Sequence, residues 1–91
     1  MIMDKKYYFI GIGGISMSAL AVFLKLQGEI VSGSDIATNE NMNNLTTFKV
    51  PFFIGHNEEN IKSFNPDFVV INCAIDKNNE ELQWAKRSKK R

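Results

Sequence analysis

Residues 9–20 read FIGIGGISMSAL, placing three glycines between a run of apolar residues and a stretch of helical periodicity. A chain that turns on Gly11, Gly13 and Gly14 straight out of Tyr7–Ile12 fits a buried strand opening into a tight turn and then a helix. That order brings backbone N–H groups and the positive end of a helix dipole to the carboxyl end of a first strand, a setting suited to phosphate. The usual dinucleotide fingerprint asks for a third glycine where this chain has Ser16. Serine is nearly as small, so helix and strand can still pack closely, and its hydroxyl can donate to an anion.

The rest of the chain alternates in the same way. Met17, Leu20, Ala21 and Leu24 form one apolar helical stripe that Gly28 closes, and Glu29–Asp35 reads as a second strand. Asn39–Phe48 is compatible with a helix, Val50–His56 (VPFFIGH) with a third strand that Pro51 confines to a start or an edge, and Asn57–Phe64 with a short helix. Asp67–Ile75 is the clearest buried strand by composition. Asn78 and Glu81 then have the spacing of a capping box opening a last helix through Leu82, Trp84 and Ala85. Strands alternating with helices predict an α/β, Rossmann-like, doubly wound parallel sheet of about four strands with flanking helices, forming a single domain over 1–91.

Composition narrows the function classes. Ninety-one residues with 44% hydrophobic side chains can bury one core. Five of the eleven basic residues (Lys86, Arg87, Lys89, Lys90, Arg91) fall in the last six positions, leaving six basic against ten acidic side chains before them, a net of −4. This distribution suits a solvated helix end rather than a nucleic-acid-binding face. No apolar run is long enough to span a bilayer and the N-terminus lacks a secretory pattern, so a cytoplasmic protein without a membrane partner is expected. The lone Cys73 reads as a small core residue, and no cluster of metal ligands or catalytic acid, base and nucleophile is apparent, so no metal and no catalytic residue is assigned.

Asp35 ends the second strand 24 residues after Gly11, where a carboxylate can accept from ribose hydroxyls or can merely cap a loop. His56, the one histidine, follows Gly55 on the same carboxyl edge and reads either as a surface loop residue or as a ligand neighbour. No lysine follows the glycines as a G-x-x-x-x-G-K-[ST] loop demands, so ATP is not held here in that manner.

Taken together, FIGIGGISMSALA, the downstream GSD, GH and AI segments and the helix opening after them resemble the N-terminal domain of the Mur ligases, over nearly the whole chain. Within that family the branch that adds L-alanine is the best match. The resemblance implies a three-domain cytoplasmic enzyme of peptidoglycan synthesis whose first domain grips the UDP part of UDP-N-acetylmuramate. A further, central domain would bind ATP and Mg2+, so this domain has no cofactor of its own. ATP would activate the muramyl carboxylate as an acyl phosphate for attack by the alanine amine.

Carried onto this sequence, the resemblance puts Gly11, Gly13, Gly14, Ile15, Ser16 and Met17 around the diphosphate, Ser34 and Asp35 towards the uridine with His56 beside it, and Ala74 and Ile75 at the end of the fourth strand. Asn72 and Cys73 replace serines common in the family, and Asn79-Glu80-Glu81 stands where Asn-Pro-Glu is common. Two other readings compete: a redox or regulatory module binding NAD or FAD through the same loop, and a non-catalytic interaction domain using the basic last helix.

Overall fold

The computed structural model describes residues 5–72 and 74–90, so Cys73 lies outside the described residues. Four parallel strands, β1 (Lys6–Ile10), β2 (Ile30–Asp35), β3 (Phe53–Ile54) and β4 (Phe68–Val70), form a sheet in the order β3-β2-β1-β4. The helices are α1 (Ile15–Leu26), α2 (Asn43–Thr47, preceded by a 3-10 turn over Glu40–Met42), α3 (Glu58–Phe64) and α4 (Glu80–Arg87). Register runs from Lys6 opposite Ile30 to Ile10 opposite Ser34, and from Tyr7 opposite Phe68 to Phe9 opposite Val70.

Side chains of β1 alternate between two cores because successive strand residues point to opposite faces. Phe9, with Ile12 just beyond it, packs with Met17, Ala21, Val31, Met42, Leu45 and Val50 beneath α1 and α2. Tyr8 and Ile10 pack on the other face with Ile61, Leu82 and Ala85 of α3 and α4. Each large side chain fully buried this way contributes about 1.5–3 kcal/mol. The sheet is therefore covered on both sides, as the alternation of strands and helices predicts.

Local details differ from the sequence reading where burial depends on distant neighbours. Leu20 is 42% exposed, while Ser18 is buried with Met17 and Ala21. At 100° per residue, position 20 lies on the flank of the face centred near 21 and position 18 lies within it. The fourth strand pairs only over Phe68–Val70 and is half-buried, because it is an edge strand bonded to β1 alone; the chain beyond it leaves the sheet. β3 is likewise an edge of two paired residues just past Pro51, which has no N–H for a sheet ladder. α1 is capped by Gln27, followed by Gly28 at φ +93°, the left-handed position that favours glycine. No helix among the described residues is long and apolar enough to cross a membrane.

Candidate functional site

Crossovers from β1 lead to β2 on one side, while β4 lies on its other side, so the loops at the carboxyl ends of β1 and β4 part. A cleft of about 540 Å³ opens there. It is lined by Gly11, Gly13 and Gly14 after β1; Asp35, Ile36, Asn39 and Asn41 after β2; His56 after β3; and Asn72, Ala74, Ile75, Asp76 and Asn79 between β4 and α4.

The glycine loop is pinned from two sides. Gly11 turns at φ +90°, and the N–H groups of Gly11 and Ile12 both donate to the Ser34 carbonyl, at 2.8 and 2.9 Å. The Gly13 N–H donates to Asp35 Oδ2 at 2.8 Å, and the Gly13 carbonyl accepts from the side-chain amides of Asn39 (3.1 Å) and Asn41 (3.2 Å). A Cβ on Gly13 would come within 2.8 Å of both Asn39 Nδ2 and Asp35 Oδ2, so a larger residue has to push aside the side chains that grip the loop.

With the Gly13 N–H engaged by Asp35, the donors left for an anion are those of the first turn of α1. Its N-cap, Gly14, offers no side-chain cap and the turn holds no acidic residue. The N–H groups of Ile15, Ser16 and Met17 have no helical acceptor in that position, and the dipole favours negative charge beside them.

The opposite wall is built on a carboxylate. Glu81, at 0% exposure, accepts at Oε2 from the Tyr8 hydroxyl (2.7 Å) and the Asn57 N–H (3.3 Å). At Oε1 it accepts from the Ser34 hydroxyl and lies 3.2 Å from His56 Nδ1, which is itself 2.8 Å from Ser34 Oγ. The charge sits in the first turn of α4, where the dipole supports it. Burial first, then the hydrogen bond to Glu81, pushes the Tyr8 phenol well above its usual range, so it stays a donor. No buried side-chain N or O among the described residues lacks a partner.

The capping box read between Asn78 and Glu81 is not formed. Asn79 is the N-cap, accepting from the N–H groups of Glu81 (2.9 Å) and Leu82 (3.2 Å), and Glu81 turns inward instead of back to the cap. The missed signal was periodicity: Glu81 shares the inner face of α4 with Leu82 and Ala85.

Of the residues expected from sequence, the structure brings Gly11, Gly13, Gly14, Asp35, His56, Ala74 and Ile75 to the cleft. Ile15 and Ser16 are exposed at its α1 end, and the Met17 side chain belongs to the core. Ser34 is fully buried behind the lining, against Glu81 and His56. His56 is not a free surface residue; its side chain is 15% exposed. Asn39, Asn41, Asp76 and Asn79 are lining residues that the sequence reading did not assign to the site.

Residues 6–90 match the model of the Mur ligase family, catalytic domain. The chain belongs to the Mur ligase family. It is 46% identical over 85 residues to the UDP-N-acetylmuramate–L-alanine ligase of Blochmanniella floridana and 51% identical over 85 residues to that of Clostridium kluyveri, covering 93% of this chain in each case. It spans about a fifth of the length of these curated relatives, 18% of each.

Among solved structures, the UDP-N-acetylmuramate–alanine ligase of Thermotoga maritima superposes with a TM-score of 0.87 at 34% identity, over 94% of this chain and 20% of that one. The UDP-N-acetylmuramate:L-alanyl-gamma-D-glutamyl-meso-diaminopimelate ligase of Neisseria meningitides has the same fold, with a TM-score of 0.87 at 24% identity over 97% of this chain and 28% of that one. The four-stranded α/β sheet of this Mur ligase domain is thus the one found in its relatives.

Proposed function

We propose that this Mur ligase domain binds the UDP portion of UDP-N-acetylmuramate, as the N-terminal domain of a cytoplasmic, ATP-dependent ligase that adds L-alanine in peptidoglycan synthesis. The observation that carries the reading is the cleft at the point where the strand order reverses. Its α1 end offers uncapped N–H groups to a diphosphate, and Asp35 and His56 on its lining offer polar side chains to a nucleoside. The relatives' names supply the substrate. In this reading ATP, Mg2+ and alanine are handled by the rest of a ligase, and the domain itself holds one substrate without performing the chemistry. Asp35 orients the glycine loop as well as facing the ligand, since its Oδ2 already accepts from Gly13.

A dinucleotide such as NAD uses the same kind of loop, so the test sets the two ligands against each other. Titration of the 15N-labelled chain with UDP is expected to shift the amides of Gly14, Ile15 and Ser16 with high-micromolar or weaker affinity, because one domain alone buries little of the ligand. NAD shifting the same amides at lower concentration would overturn the assignment.

A further inference from the structure

We infer that Glu81 is a positioning residue: directly and through Ser34 it holds His56 in the tautomer protonated at Nδ1, so that Nε2 presents a lone pair to the cleft and accepts from a ligand N–H or O–H. The inference rests on the nucleotide reading for the ligand's identity, but its first step concerns the unliganded chain. A carboxylate only accepts, so the Ser34 hydroxyl spends its single proton on Glu81 Oε1. Ser34 Oγ, 2.8 Å from His56 Nδ1, then has only lone pairs to offer the ring. Glu81 Oε1 itself lies 3.2 Å from the same nitrogen. Two electron-rich oxygens facing Nδ1 require that it carry the proton, and the neutral ring then has its free lone pair on Nε2.

Glu81 is kept from turning away by the Tyr8 hydroxyl and the Asn57 N–H, both on its other oxygen. Among the described residues Nε2 has no protein partner, yet no buried side-chain nitrogen is left unpaired, so Nε2 is solvent-accessible on a residue that lines the cleft. A phosphate oxygen is itself an acceptor and gains nothing at such a lone pair. A base imide or a sugar hydroxyl does. The cleft is therefore polarised, with donors at the start of α1 and an acceptor at His56, and this orients a nucleoside diphosphate in one direction only.

His56 is the one histidine of the chain, so a long-range 1H–15N spectrum of the labelled protein under alkaline conditions reads a single imidazole. The Nδ1-protonated tautomer is expected; a predominantly Nε2-protonated ring overturns the inference. In Glu81→Gln the carboxamide can donate to Ser34, whose proton then turns to His56 Nδ1. The population should move towards the Nε2-protonated tautomer, and uridine affinity should fall about three- to tenfold. A folded Glu81→Gln variant with an unchanged tautomer also overturns it.

Should that variant not fold, Ser34→Ala serves, because Glu81 Oε1 remains to accept from Nδ1. Retention of the Nδ1-protonated form is expected there, and its loss counts against Glu81. Uridine should move the Nε2 resonance, whereas inorganic phosphate should move only the first-turn amides of α1; phosphate acting at Nε2 overturns the polarity. If the tautomer is as stated and neither uridine nor UDP binds, the nucleotide reading fails and the positioning role of Glu81 stands.

Discussion

The β1–α1 loop meets the cleft with backbone. Its glycines leave room for Asp35 and the two asparagines to grip Gly13, and the helix behind it contributes bare N–H groups. The wall formed by His56 and the start of α4 meets the cleft with side chains, and His56 is held there by a buried carboxylate that draws on β1, β2 and the β3–α3 turn. The backbone wall is assembled within the first βαβ unit and the turn that follows it. A side-chain wall needs the whole sheet to be in place first. The two should consequently respond to substitution differently, one in ligand affinity as well as stability and the other mainly in stability.

The largest effect is expected from Glu81→Ala. It leaves Tyr8, Ser34 and the Asn57 N–H without this acceptor, and each buried donor left unsatisfied costs about 1–3 kcal/mol. Urea denaturation measures this, and a loss below about 1 kcal/mol would mean that the wall does not depend on the carboxylate.

Next comes Gly13→Ala, whose new methyl must displace Asn39, Asp35 or the Met42 sulfur 3.0 Å away. Overpacking of this kind costs about 1–3 kcal/mol. UDP binding should fall more than about tenfold as the loop shifts, a step of about 1.4 kcal/mol, while the His56 tautomer stays as in the parent chain. Equal binding by parent and variant in an isothermal titration would show that the loop does not shape the site.

The smallest effect tests the residue shared by both descriptions. Asp35→Ala removes the acceptor of the Gly13 N–H and should cost about 1 kcal/mol of stability together with about tenfold in UDP affinity. Asp35→Asn keeps an acceptor for Gly13 and should lose affinity with little change in melting. If both variants melt like the parent, the carboxylate does not brace the loop.

What was legible in the sequence follows the same division. β1, the glycine turn, α1 with its closing Gly28, and Asp35 at the end of β2 all stood out, because each depends on residues within one βαβ unit. Glu81 did not, since its partners Tyr8, Ser34 and His56 lie 73, 47 and 25 residues away. Its neighbouring asparagines compounded the error: either Asn78 or Asn79 could cap a helix by type, and choosing the first turned an inward carboxylate into a capping partner. Asp67–Ile75 misled for another reason. A continuous apolar run shows that a strand has partners on its faces, but whether it has one neighbour or two is decided by the topology of the whole sheet.

The Tyr8–Glu81 hydrogen bond also bears on the order in which the molecule assembles. It joins the first strand to the last helix across 73 positions, and such non-local closure must be entropically funded before the contact returns anything. β1, α1 and β2 can come together early around Phe9, Ala21 and Val31, with the glycine turn already shaped. His56 takes its orientation from Ser34 of β2 and from Glu81, which α4 brings beneath it. The phosphate end of the cleft thus rests on contacts made within about 30 residues of chain, whereas the nucleoside end rests on contacts that join its two ends.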